Sequence, residues 1–337
     1  MNQVKLASVD MKRTMKKIFW VNGLWVSFLL AGCGSGGGSG GGDAVAPAAT
    51  PQSPYVVETS VFSPVAGQAQ MGQSVPAPLS HPRLMTFDGT YLYVATGVDN
   101  SVVRIDPNGI QTTLNGFAGS PVGVAVRSGT LYVTQTSGLY QLDNLSLVNG
   151  NSVAVTPQLV ANSGNTNCRN CLGLLFNGDV AYASDGSTTL QTYDTFNKGW
   201  RSISLSSPAY GLALQSNYLS TTDYSGGLNV YAVSAITSTW SSLAQKAITG
   251  QPYGVAIASN GDVYVSSYAA STVTRIRGGV VDASPYLDST KVCHPLGLAI
   301  NEATQSLYVA SERSSSGCGL PGQSTGYILR ASINLGS

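Results

Sequence analysis

The sequence predicts an all-β protein, a six-bladed β-propeller in which an N-terminal strand closes the last blade. Three observations carry this. One unit recurs six times between residues 81 and 331. Its first strand alternates small with large apolar residues rather than polar with apolar. No stretch of 55–337 sustains a helical period, while turn dipeptides recur between short strand-like runs.

In chain order, the first element is a leader. Lys12, Arg13, Lys16 and Lys17 form a basic region, and 18–31 is an uncharged, mostly apolar run of 14 residues. That is shorter than the ~20 residues that span a bilayer core and fits the apolar region of a signal peptide. It ends in Leu30-Ala31-Gly32-Cys33. This resembles the lipobox of bacterial lipoproteins. The resemblance implies that residues 1–32 are removed and that Cys33 is lipidated. Three acyl chains would anchor the chain stably in a membrane. Gly34, where that family's inner-membrane proteins carry Asp, implies the outer membrane of a Gram-negative bacterium, facing the periplasm or the cell surface. Residues 33–54 are then the lipidated cysteine and a Gly/Ser, then Ala/Pro, tether. The Gly-x-Ser-x-Gly centred on Ser39 is tether composition, because no strand–turn–helix frames it.

Of 17 Lys and Arg, five fall in 1–32, and of 16 Asp and Glu, one does, so the remainder carries a net charge of −3. With no basic stripe, nucleic acid is excluded as a partner. Charged residues make up only 10% of the chain, which suits an exported β protein.

Residues 55–337 form the propeller domain. Its first segment, "YVVETSVFS" (55–63), has strand composition and is expected to supply the outer strand of the last blade, removing an exposed edge. The repeats begin at Pro82, Pro121, Cys171, Ala209, Pro252 and Pro295, in steps of 39, 50, 38, 43 and 43 residues. Each reads as an apolar strand, a turn, a Tyr/Val-rich strand, a loop and a third strand. Asp88-Gly89, Asn177-Gly178 and Asn260-Gly261 supply hairpin chemistry. In "VGVAV", "YGLAL", "YGVAI" and "LGLAI" small residues face one way and large ones the other, which lets neighbouring blades approach near the axis.

This unit resembles the NHL-repeat family of six-bladed propellers, whose repeats run Pro-x-Gly-Val-Ala, turn, Leu-Tyr-Val-Ala-Asp. It is also similar to the gluconolactonase and streptogramin-lyase propellers. The resemblance covers about residues 81–331 and is confined to the first two strands. The family's Asp reads here as Thr96, Ser184, Ser267 and Ser311.

Beyond Cys33 four cysteines remain, an even number in an exported chain. Cys293 opens the first strand of blade six and Cys318 lies in the loop after its second, so the two fall at the same end of an antiparallel pair. The expected bridges are Cys293–Cys318 and, by elimination, Cys168–Cys171. The Cys-x-x-Cys spacing of the latter also admits a redox-active reading, but no helix N-terminus is there to lower a thiol pKa.

The chain's two histidines, His81 and His294, occupy the same repeat position, just before strand one. Blades one and six are neighbours in a closed ring, so the pair is expected at the mouth of the central channel. One reading makes them ligands of a single divalent metal, with Glu312, Asp99 or Asp185 as a third donor. The amidating lyases of this fold use three histidines, and this chain has two. The other reading makes His-Pro a strand start. Arg83, Tyr210 and Tyr253 are placed on the same rim. Arg83 stands where other repeats have Val, Leu or Tyr; one reading has it hold a carboxylate or phosphate, the other has it reach solvent or pair with Glu312.

Two function classes follow. The first is a tethered binding or scaffold module for a protein, glycan or small ligand. The second is a metal-dependent lactonase-like hydrolase or lyase with its site at the channel mouth.

Overall fold

The structure is a computed structural model that describes residues 59–61, 79–145, 148, 150–161, 167–233, 237–312, 318–319 and 325–335. The leader, Cys33 and the tether lie outside the described residues. All that is described belongs to the unit Pro54–Ser337.

Six small, mainly antiparallel sheets form the six blades, and no α-helix occurs among the described residues. The innermost strands are Pro82–Phe87, Pro121–Arg127, Leu174–Asn177, Leu212–Gln215, Pro252–Ile257 and Pro295–Asn301. Each contacts the innermost strand of the blade on either side, so the ring is closed. Blade six is completed from the other end of the domain. Its sheet runs Pro295–Asn301, Ser306–Ser311, Tyr327–Ser332 and then Thr59–Val61, with Ser60 paired to Arg330. The N-terminal strand therefore closes the last blade, as its composition predicts.

Six buried apolar clusters hold the ring, one at each junction between blades. Val94 and Val103 of blade one, for example, pack with Tyr308 and Ile328 of blade six. Tyr264 of blade five packs with Leu307 and Leu329. Each such large side chain contributes about 1.5–3 kcal/mol through burial.

Near the axis the blades are joined by a repeated hydroxyl relay. In blade two, Gly123 N–H donates to Thr134 Oγ1 at 2.7 Å, and that hydroxyl donates to Leu172 O of the next blade at 3.2 Å. Ser184 takes the Gly173 N–H and donates to Tyr210 O. Thr222 takes the Gly211 N–H at 2.8 Å and donates to Tyr253 O. Ser266 takes the Gly254 N–H and donates to Leu296 O, both at 2.7 Å. The glycines are required by the approach itself: a Cβ on Gly254 would lie 2.1 Å from Leu296 O. Small-against-large alternation is thus the sequence trace of backbone contact between blades.

The relay skips blades six and one. The register puts Ala310 and Ala95 at the hydroxyl position. Other devices act there. Leu79 bridges to Gly326, and Cys293 is bonded to Cys318. On the far side of blade one, Ser120 Oγ donates to Gly97 O.

Two short strands cross between blades. Ser152–Ala154, from the long insertion in blade two, adds in parallel to Gln111–Asn115 of blade one. Arg104 clamps the same insertion through Leu145 O and Val148 O. Thr239–Trp240 adds likewise to Gly199–Leu205 of blade three.

The register also corrects one reading of the repeat. Leu174 pairs with Ala183 as Val124 pairs with Val133, so Ser184 corresponds to Thr134 and not to the acidic position. That position falls on Asp185 in blade three. In blade four, where Leu212 pairs with Thr221, it falls on Asp223. Both carboxylates cap turns, accepting the N–H and hydroxyl of Ser187 and of Ser225.

Candidate functional site at the channel mouth

Leu84 and Met85 of blade one and Val124, Leu174, Leu212, Val255 and Leu298 of the other five line the channel, and Gly173, Gly211 and Gly254 expose strand backbone between these side chains. Polar chemistry collects where the first strands begin and the second strands end.

Three repeat positions build this mouth. The entry position, just before the repeat start, holds His81, Asn170, Gln251 and His294 in four blades, all with positive φ of 46–63°. Histidine and asparagine are among the side chains best tolerated in that left-handed conformation. The two histidines therefore do serve as strand-start residues, whatever else they do. The position after the repeat starts Pro82, Pro121, Cys171, Ala209, Pro252 and Pro295 is Arg83, Val122, Leu172, Tyr210, Tyr253 or Leu296. The exit position, one residue beyond the repeat's acidic position, is Gly97, Thr136, Gly186, Tyr224, Tyr268 or Glu312.

Four consecutive blades turn these positions into a continuous arc. Tyr210 and Tyr224 of blade four stack with ring centroids 5.2 Å apart. Tyr253 of blade five closes on them at 5.9 and 6.5 Å. Burial pushes the Tyr253 hydroxyl above its usual range, and the Arg83 guanidinium beside it opposes that shift. Tyr268 stacks on His294 at 4.8 Å and donates its hydroxyl to Glu312 at 3.1 Å. Burial first, and the Glu312 charge second, push the Tyr268 hydroxyl up as well. Glu312 Oε1 lies 3.6 Å from His81 Nδ1, across the junction of blades six and one. Two exit glycines make room for the large side chains. A Cβ on Gly97 would fall 2.2 Å from Arg83 Nε, and one on Gly186 would fall 2.9 Å from the Tyr210 ring.

The expected rim residues His81, Arg83, Tyr210, Tyr253, His294 and Glu312 all belong to this arc. Tyr224 and Tyr268 were not anticipated; their signal is the exit position, which varies too widely between repeats to stand out. Among the described contacts Arg83 does not pair with Glu312, which is taken by His81 and Tyr268. Asp99 is exposed, and Asp185 is engaged with Ser187. His294 Nδ1 faces Cys293 Sγ at 3.7 Å. Among the described residues the one group of three metal-type donors within 4.8 Å is Cys293, His294 and Cys318, and its two sulfurs are bonded to each other. The other expected bridge, Cys168–Cys171, is also present, with its cysteines packed in the core between blades two and three.

The architecture matches solved structures along most of the chain. A gluconolactonase from Xanthomonas campestris aligns with a TM-score of 0.60 at 12% identity, covering 82% of this chain and 90% of that one. The fold is that of the gluconolactonase and streptogramin-lyase propellers. A streptogramin B lyase aligns with a TM-score of 0.51 at 11% identity, over 82% of this chain and 98% of that one. A calcium-binding regucalcin from Agrobacterium tumefaciens aligns at 0.58 and 11% identity, over 77% and 93%. No protein-family model and no curated protein matches the sequence. At these identities the likeness is one of fold.

Proposed function

We propose that this chain is a lipid-anchored binding protein of the outer membrane, whose propeller takes a small ligand at the arc-lined mouth of its channel. The observation that carries the reading is the arc itself. Eight polar or aromatic side chains from four consecutive blades meet above a channel lined by Leu, Val and Met side chains and by strand backbone, a mixed lining of the kind ligand pockets use. The leader and lipobox motif support the anchor. A protein-binding or scaffold role would use the same face.

A second reading, a metal-dependent lactonase-like hydrolase or lyase, is favoured by the fold likeness and by the His81–Glu312 contact. A metal at that point would need His294 to turn away from Cys293 and Tyr268 and join the other two. A bound metal would polarise a carbonyl or activate water.

Metal titration of the full chain separates the two. The binding-protein reading expects zinc, calcium and manganese uptake to be unchanged by the double substitution His81→Ala/His294→Ala. Stoichiometric uptake that this substitution abolishes, together with lactone hydrolysis that depends on the metal, would move the assignment to the enzyme.

A further inference from the structure

Arg83 sits at a position that every other repeat fills with Val, Leu or Tyr, so its charge is no requirement of the blade. The other arginines among the described residues have partners or solvent. Arg127, Arg275 and Arg277 pair with Asp179, Asp282 and Asp262. Arg104 is held by two carbonyls, Arg330 donates to Ser306, and Arg169 and Arg201 are exposed. Arg83 is half-buried, and among the described residues no carboxylate pairs with it. Its Nε is buried without a hydrogen-bond partner. The space over Gly97 is kept clear for that side chain. A second unpartnered donor lies in the next blade: Gln135, fully buried, accepts the Gly119 N–H on its Oε1 and leaves Nε2 unbonded.

We propose that Arg83 is the anion-binding residue of the mouth and that the ligand is a monocarboxylate with a flat aromatic or apolar body. This rests on the reading of the mouth as a small-ligand site. With Nε packed over Gly97, a carboxylate would take the two Nη groups end-on, a fork geometry that arginine presents and lysine does not. The neighbours fix the rest. Tyr210, Tyr224 and Tyr253 offer ring faces and edges beside the guanidinium, and Leu84, Leu212 and Val255 stand among the side chains of the channel below. Glu312 on the same rim disfavours a dianion.

The test is calorimetric and tyrosine-fluorescence titration of the full chain with benzoate, 4-hydroxybenzoate and phenylacetate, each beside its neutral carboxamide, and with inorganic phosphate. The carboxylates are expected to bind and the carboxamides to bind at least about thirtyfold more weakly. Arg83→Met should abolish that preference, with its thermal unfolding showing that the fold is kept. Arg83→Lys should recover part of the affinity, and the exposed Arg201→Gln none of the loss. Equal binding of acids and amides, unaffected by Arg83→Met, would overturn the anion assignment and leave the mouth as a neutral-ligand site. Phosphate binding through Arg83 without carboxylate binding would overturn the ligand class. Failure of every probe, acid and amide alike, would overturn the proposal and count against the mouth as a small-ligand site.

Discussion

His81 Nδ1 and Glu312 Oε1 lie 3.6 Å apart although 231 positions separate them in the chain. The contact spans the junction of blades one and six, where the ring closes and where the hydroxyl relay is missing. The same junction carries Arg83 and His294. The charged end of the candidate site, His81, Arg83 and Glu312, therefore sits at the junction without the relay, while its tyrosines lie on blades four and five, which keep it.

The relay predicts where stability lies. Thr222→Val keeps the shape but leaves the Gly211 N–H and Tyr253 O without their shared hydroxyl. A loss of about 1–3 kcal/mol is expected by denaturant unfolding. Gly254→Ala should cost at least as much, because the new methyl would overlap the backbone of blade six. Ala310→Ser, which restores a hydroxyl at the closing junction, should leave stability unchanged or raise it by up to about 1 kcal/mol.

Closure by the N-terminal strand predicts that a chain deleted for residues 55–63 exposes the edge of Tyr327–Ser332. A lower unfolding temperature and concentration-dependent association in gel filtration are the expected results. A monomer of unchanged stability would show that the edge is protected by something else.

The two disulfides should differ in worth. Cys293–Cys318 closes a separation of 25 residues and Cys168–Cys171 one of three. Loop entropy gives losses of roughly 3–4 and 1.5–2 kcal/mol on removing each bond. Paired cysteine-to-serine variants, compared by denaturant unfolding, measure the ratio.

Buried tyrosines predict alkaline lability. Burial raises Tyr286 to about 12 from 10.0, and raises Tyr93 and Tyr264 further. Between the unfolded and folded values the unfolded chain loses protons that the folded chain keeps. It then binds fewer protons, so stability falls as pH rises through that window and is unaffected by these groups below it. Tyrosinate absorbance followed alongside unfolding should show ionisation of these side chains coinciding with loss of structure.

Much of this was legible in the sequence, for physical reasons that can be named. Gly123, Gly254 and their counterparts recur because backbones touch there, so the inner strands announced both themselves and the ring. His81, Arg83, Tyr253 and Glu312 could be placed on one rim because repeat positions fix height along the axis. The crossing strands Ser152–Ala154 and Thr239–Trp240 could not be read. Each is two or three residues long and pairs with a blade other than its own, which leaves no local period. Tyr224 and Tyr268 escaped because the exit position carries no shared residue type. Ser184 is misaligned when "VAYAS" is matched by its last residues; with Tyr182 set on Tyr93 the acidic position falls on Asp185, as the register has it.

The most direct test is to locate a ligand. Crystals of the full chain, or of a proteolytically stable fragment of it, soaked with small aromatic acids, should show a molecule bound between Arg83 and the Tyr210–Tyr224–Tyr253 cluster. Molecules found only on the outer edges of the blades, with the mouth left bare in every crystal, would contradict the assignment of the channel mouth as the binding site.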